Sequence, residues 1–100
     1  MGLKLRYDAR ALDDLREIRA HTTSCGSPAA AERVRRDLRT NINRLAKTPL
    51  IGTVSSLPDV RILPPTRYPY RLYYTIRDRE LIILHIRHTA RKAPDDVLGN

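Results

Sequence analysis

The sequence predicts a small α+β domain in which an N-terminal helical hairpin packs on one face of a mainly antiparallel sheet, in the order β-α-α-β-β-β. Three observations predict it. Apolar residues recur at helical spacing from Leu12 to Leu45, they alternate or run together from Val60 to His88, and a two-residue turn separates the last two apolar runs. Because 100 residues hold one modest core, we expect a single domain over residues 1–93 and a polar tail over residues 94–100.

The N-terminal half is predicted to be one strand followed by two helices. Apolar residues alternate with cations over residues 3–7, which is typical of a short strand with one solvated face. Asp8 can cap a first helix, which we expect to end at a turn-rich break from His21 to Ser27. Ser27-Pro28 then has the residue types of a second helix start, and Pro49 ends that helix.

The C-terminal half is predicted to be a loop over residues 48–59, a short strand over 60–63, and a hairpin. The hairpin strands are Tyr70–Arg77 and Glu80–His88, joined by Asp78-Arg79. The uninterrupted apolar run over residues 81–84 indicates that the last strand lies inside the sheet.

A two-residue turn also predicts the register of this hairpin. It would pair Tyr73 with Leu84 and Arg71 with Ile86, with His88 diagonal to Arg71 on the face away from the helices. The same register places His85 on the helix-packing face, where a hydrogen-bonded core histidine is the favoured interpretation.

Charge and composition narrow the classes of function. Nineteen Lys and Arg against eleven Asp and Glu give a net charge of +8, and sixteen of the nineteen cationic residues are arginine. Such an excess of arginine suits a polyanion or an acidic protein partner. The N-terminus has no signal-peptide pattern, no apolar run is long enough to span a membrane, and a single cysteine forms no internal disulfide. We therefore expect a cytoplasmic protein that does not associate with membranes.

The sequence lacks the residue patterns of metal sites, phosphate-binding loops and cysteine nucleophiles. Three separated histidines and one cysteine give no metal-ligand spacing, and there is no glycine-rich phosphate loop, so we expect neither a metal nor a cofactor. Cys25 is read as a loop residue rather than a nucleophile. The tyrosines of residues 68–74 could stack on single-stranded nucleic acid, although ordinary sheet packing explains them as well.

Two segments resemble a known family. The strand Tyr70–Ile76, the acidic turn, the aliphatic strand and the ending His88-Thr89-Ala90-Arg91 resemble the C-terminal hairpin of RelE/ParE toxins from type II toxin–antitoxin systems, and residues 8–18 are similar to that family's first helix. The resemblance covers about residues 3–91. It implies the same fold and a cognate antitoxin, ParD-like, that lays an acidic C-terminal segment over the toxin. It also implies either DNA gyrase or the ribosome with its mRNA as the target.

The family's two branches differ in the residues expected at the active site. Two arginines of the RelE-like nucleases match Arg71 and Arg91, and His88 could serve as acid or base, so these three would be the catalytic set of a ribosome-dependent mRNA endonuclease. The paired lysines of that branch fall on Ile62 and Pro64, and its C-terminal tyrosine falls on Val97.

The resemblance therefore favours a ParE-like gyrase inhibitor that performs no chemistry, with the endonuclease as the alternative and a basic interaction domain as a third class. Partner contacts are expected from cationic and aromatic residues around the last hairpin: Arg67, Arg71, Tyr73, Arg87, His88 and Arg91.

Overall fold

The structure, a computed structural model, describes residues 2–89 as two helices packed on a five-stranded mixed sheet. The elements are β1 (Lys4–Tyr7), α1 (Ala9–Cys25), α2 (Pro28–Lys47), β2 (Thr53–Val54), β3 (Arg61–Leu63), β4 (Tyr70–Arg77) and β5 (Glu80–His88), with a short 3-10 turn at Pro49–Ile51. The predicted α+β fold and its element order are confirmed, with β2 as an additional strand. Arg91 and the predicted tail over residues 94–100 lie outside the described residues.

Both helices begin at the caps that the sequence indicates. The Asp8 side chain accepts a hydrogen bond from the Arg10 backbone N–H, and Ser27 does the same for Ala30. The predicted break from His21 is wrong, because α1 continues to Cys25. Thr22 Oγ1 donates to the Ile18 carbonyl at 2.7 Å, so a hydroxyl expected to favour a turn is satisfied within the helix. No helix within residues 2–89 combines the length and apolar character needed to cross a membrane.

The strands lie in the order β1-β5-β4-β3-β2, with β1 parallel to β5 and the other pairs antiparallel. The prediction that β5 lies inside the sheet is confirmed, since it has a neighbour on each side. The strand β2 falls within the predicted loop. Tyr74 holds the segment before β2 against the sheet, because its hydroxyl donates to the Pro49 carbonyl at 2.7 Å and accepts from the Gly52 N–H at 3.0 Å. Burial raises the pKa of the Tyr74 hydroxyl.

The β4–β5 hairpin has the predicted turn but not the predicted register throughout. Asp78 and Arg79 both have positive φ angles, of 52° and 64°, as a type I′ turn requires, and Arg77 pairs with Glu80. Further along, Tyr74 pairs with Ile83 while Tyr73 pairs with His85, so Leu84 is an extra residue in β5. This β-bulge makes the predicted Tyr73–Leu84 and Arg71–Ile86 pairs wrong.

The bulge changes which residues of β5 face the helices. Because one inserted residue exchanges the two faces beyond it, Ile86 takes the core position that the sequence assigned to His85. The core contains the apolar face of α2, the inner face of the hairpin and one residue each from α1 and β3: Ala11, Val34, Leu38, Ile42, Leu45, Leu63, Tyr70, Leu72, Tyr74, Leu81, Ile83 and Ile86.

Candidate functional site

The face of the β4–β5 hairpin that points away from the core, called the outer face below, carries two arginines at one end. Arg71 pairs directly with Arg87, and Tyr73 pairs with His85 two residues further along the same face. Like charges directly opposite each other on neighbouring strands destabilise a sheet. The Arg71 side chain forms no ion pair or hydrogen bond with any residue in the described range 2–89. It is therefore a half-buried cation placed beside a second cation, which is a favourable position for an incoming anion.

Arg87, in contrast, lies near a buried carboxylate. Asp14 of α1 is 7% exposed, and its Oδ1 is 3.8 Å from Arg87 Nη1. Its Oδ2 accepts a hydrogen bond from the Ile86 backbone N–H at 2.9 Å and lies 3.1 Å from Nδ1 of His85. The pairing of β1 with β5 stops at Ile83, so the edge of β5 beyond that point is available to α1. Asp14 thus joins the helix to this edge.

Sequence reasoning did not select Asp14, although a signal for it was present. Asp14 follows Ala11 by three residues and precedes Ile18 by four, so it occupies the apolar face of its own helix. A carboxylate at such a position needs a buried partner.

His85 is buried as predicted, but in a different setting. It is 9% exposed and its Nδ1 is engaged by Asp14, while its register position is opposite Tyr73 rather than on the helix-packing face. Two buried nitrogens of this cluster, His85 Nε2 and Arg87 Nε, have no hydrogen-bond partner within residues 2–89. The cluster therefore keeps hydrogen-bonding capacity that the described residues do not use.

His88 lies on the opposite face from Arg71. It pairs with Tyr70, and the two rings meet edge to face with centroids 5.5 Å apart. Both line a cleft of about 240 Å³ beside α1, together with Glu17 and His21. The predicted proximity of Arg71 and His88 is wrong, because the bulge between them places their side chains on different faces.

The remaining predicted contact residues are dispersed. Tyr73 is only 3% exposed, and Arg67 is an exposed residue between β3 and β4, where it lies near α2. Arg91 falls outside the described residues. The hairpin thus brings Arg71, Tyr73 and Arg87 to one face, and their contact with a partner stays a prediction.

A second surface lies between the two helices. It is a groove of about 470 Å³ whose apolar part is Leu15, Ile18, Ala31 and Leu38 and whose rim includes Arg19 and Arg35. We call it the interhelical groove. Arg35 already forms an ion pair with Glu32 at 2.7 Å. An apolar floor with a partly cationic rim suits an amphipathic acidic segment.

Two observations concern possible metal ligands and the single cysteine. Within residues 2–89, no three His, Cys, Asp or Glu side chains are arranged to hold a metal ion. Cys25, expected in a loop, lies in the last turn of α1, exposed, with Sγ 3.7 Å from Nδ1 of His21.

Similar structures come from toxin–antitoxin systems. The chromosomal ParDE system from P. aeruginosa contains a chain that is 25% identical, covers 87% of this chain and 96% of its own, and has a TM-score of 0.78. The E. coli RelBE complex matches at 22% identity over 91% of this chain and 100% of its own, with a TM-score of 0.67. The RelBE2 complex from Mycobacterium tuberculosis matches at 22% identity over 88% and 99%, with a TM-score of 0.60.

At these identities, the RelBE likenesses establish the fold alone. No curated protein sequence matches the chain. The family model of the ParE toxin of the type II toxin–antitoxin system parDE matches residues 5–93. The chain therefore belongs to the ParE toxin family of type II toxin–antitoxin systems.

Proposed function

We propose that this toxin acts in the cytoplasm by binding and inhibiting DNA gyrase, without chemistry of its own, and that a ParD-like antitoxin neutralises it. Membership of the ParE family and the similarity to a ParDE system support the proposal. The expected outcome is loss of supercoiling by purified gyrase when the full-length toxin is added, with translated mRNA left intact.

The observation that carries the proposal is that, among residues 2–89, no accessible acid or base lies beside Arg71 on the outer face. Cleavage of RNA by its own 2′-hydroxyl needs a group that takes a proton and one that returns it, both within reach of the phosphate. Tyr73 and His85 share the outer face with Arg71 but are 3% and 9% exposed. His88 lies on the other face.

The alternative, a ribosome-dependent endonuclease, has one observation in its favour. Asp14 engages Nδ1 of His85, as an orienting carboxylate does in many catalytic pairs, and two arginines lie on the same face. The Nε2 that such a histidine would use is buried, so RNA would reach it only after a rearrangement.

Primer extension on a translated message separates the two activities. For a gyrase inhibitor we expect no cuts that depend on the toxin, together with an induced DNA-damage response. Reproducible cuts within the reading frame that disappear in Arg71→Ala would overturn the proposal. Arg77→Ala, which removes an exposed cation from the turn end of the same strand, is the matched control.

For the antitoxin, we propose that the acidic C-terminal segment places its apolar residues in the interhelical groove and a carboxylate near Arg71. Coupled folding of this kind should bury more than about 1,000 Å² of surface and keep most of its affinity at high salt, since apolar anchors contribute much of the binding free energy. Titration calorimetry at about 0.05 and 0.5 M salt measures this. Binding that disappears at the higher salt would indicate simple charge attraction instead.

Two alanines of α2 provide a matched pair for this test. Ala31 lines the interhelical groove, whereas Ala29, in the same first turn, is exposed and lies outside it. Ala31→Asp should weaken antitoxin binding at least tenfold by adding bulk and negative charge to the groove, and Ala29→Asp should leave it unchanged. Equal effects of the two substitutions would exclude the groove as the binding site.

A further inference from the structure

The exposed side of α2 and the segment between β3 and β4 enclose a strongly basic groove. It has a volume of about 520 Å³ and is lined by four arginines, which are Arg33, Arg36, Arg44 and Arg67. We call it the arginine groove. It lies apart from the interhelical groove, with which it shares no lining residue.

A buried asparagine holds the two walls of the arginine groove together. Asn41 of α2 is 7% exposed, and its Nδ2 donates to Thr66 Oγ1 at 3.0 Å across the groove. Its Oδ1 accepts from Arg44 Nη1 at 3.4 Å. Because Thr66 directly precedes Arg67, this contact positions Arg67 beside the arginine row of α2.

The charge of the arginine groove is largely unneutralised. The side chains of Arg33, Arg36 and Arg67 form no ion pair or hydrogen bond with any residue in the range 2–89. Asp37 is the one carboxylate among the described lining residues. Elsewhere on the helices arginines do pair with acids, as Arg16 does with Asp13 at 2.9 Å.

We propose that the arginine groove binds the phosphate backbone of duplex DNA. Along α2 its three arginines span about 16 Å, and a DNA duplex carries one phosphate per about 1.7 Å of its axis, so several phosphates come within their reach. Arginine together with threonine, asparagine and tyrosine is the residue set that typically contacts phosphates. Tyr68 lines the arginine groove as a further donor, whereas Thr40 and Asn41 already donate within the protein, to the Arg36 carbonyl and to Thr66 Oγ1.

The lining disfavours the two competing kinds of ligand. An amphipathic acidic peptide needs apolar anchors, and no aliphatic side chain lines the arginine groove within the described residues. Single-stranded nucleic acid needs exposed aromatic rings for stacking, whereas Tyr68 is half-buried and packs against the core. A duplex backbone requires neither. The inference goes beyond gyrase inhibition and can fail independently of it, because it concerns the toxin and DNA alone.

Fluorescence anisotropy of a labelled DNA duplex of about 20 base pairs, titrated with the full-length free toxin at several salt concentrations, tests the inference. We expect a logarithmic salt dependence corresponding to about three phosphate contacts. Arg36→Gln and Arg67→Gln should each reduce that slope by about one contact and weaken binding roughly tenfold at 50 mM salt. Melting curves establish that each variant is folded.

The matched control is Arg39→Gln, which changes an exposed arginine of the same helix that lies outside the groove lining. It should leave both affinity and salt slope unchanged. The inference is overturned if Arg39→Gln weakens binding as much as Arg36→Gln, which would mean general charge attraction. Tighter binding of polyglutamate or single-stranded RNA than of duplex DNA, or no DNA binding at 50 mM salt, would also overturn it.

Discussion

Asp14→Ala should destabilise the free toxin by about 3 kcal/mol. The substitution removes the carboxylate that accepts from the Ile86 N–H at 2.9 Å and engages His85 Nδ1 at 3.1 Å. Each buried donor left without an acceptor costs about 1–3 kcal/mol, and Asp14 is only 7% exposed, so water does not replace it easily. Loss of the weaker attraction to Arg87, at 3.8 Å, adds to the effect.

A loss of this size is readily measured. A domain of 100 residues has a free energy of unfolding of about 5–15 kcal/mol, so 3 kcal/mol is a large share of it. The melting temperature should fall by roughly 12–24 °C at a typical shift of 4–8 °C per kcal/mol. Urea unfolding of the free toxin, with unchanged slope, provides the second measurement. Asp14→Asn should lie between wild type and Asp14→Ala, since its amide oxygen can still accept one hydrogen bond.

The neighbouring Asp13 is the matched control. It forms an ion pair with Arg16 at 2.9 Å, but its side chain is 70% exposed. Asp13→Ala should therefore change the free energy of unfolding by less than about 0.5 kcal/mol. An Asp14→Ala variant as stable as Asp13→Ala would refute the argument that the carboxylate joins α1 to the edge of β5.

Three further predictions follow from other contacts in the structure. Arg71→Ala should leave the melting temperature of the free toxin nearly unchanged, because Arg71 faces Arg87, while weakening antitoxin binding about 10- to 100-fold in calorimetry. Asp8→Ala should cost about 1 kcal/mol in urea unfolding at pH 7. Since the Arg10 backbone N–H lowers the pKa of Asp8, this difference should be present above the ordinary value of 3.8 and vanish as pH falls through the lowered pKa. Gly52→Ala should destabilise the fold by about 2 kcal/mol in thermal melts, because the added Cβ would collide with the Tyr74 hydroxyl; wild-type stability would contradict that packing.

The regular parts of the fold could be predicted because their signals are local. Ser27-Pro28 starts α2 and Pro49 stops it, and the alternation in Tyr70–Arg77 sets the bounds of β4. The end of α1 could not be predicted in the same way. Serine and threonine after His21 have weak helix propensity, yet their hydroxyls bond back to helix carbonyls, as Ser24 does to His21.

The strand β2 depended on a long-range contact. Residues 48–59 contain the prolines and glycine of a loop, and only two of them, Thr53 and Val54, pair with β3. Tyr74 brings that segment to the sheet through bonds to Pro49 and Gly52, across more than twenty residues of sequence. Local composition carries no information about such a partner.

The sequence-based prediction of which candidate side chains lie together failed because of a single residue, Leu84. Family motifs identified Arg71 and His88, but whether the two side chains meet depends on Leu84, which the aliphatic run of β5 does not distinguish from its neighbours. The bulge begins one residue after Ile83, where the pairing with β1 ends, and Asp14 accepts the Ile86 N–H just beyond it. The sheet thus changes at one point from an edge paired with a strand to an edge covered by a helix. That change separates His88 from the arginines of the outer face, so the two parts of the sequence motif do not meet in the fold.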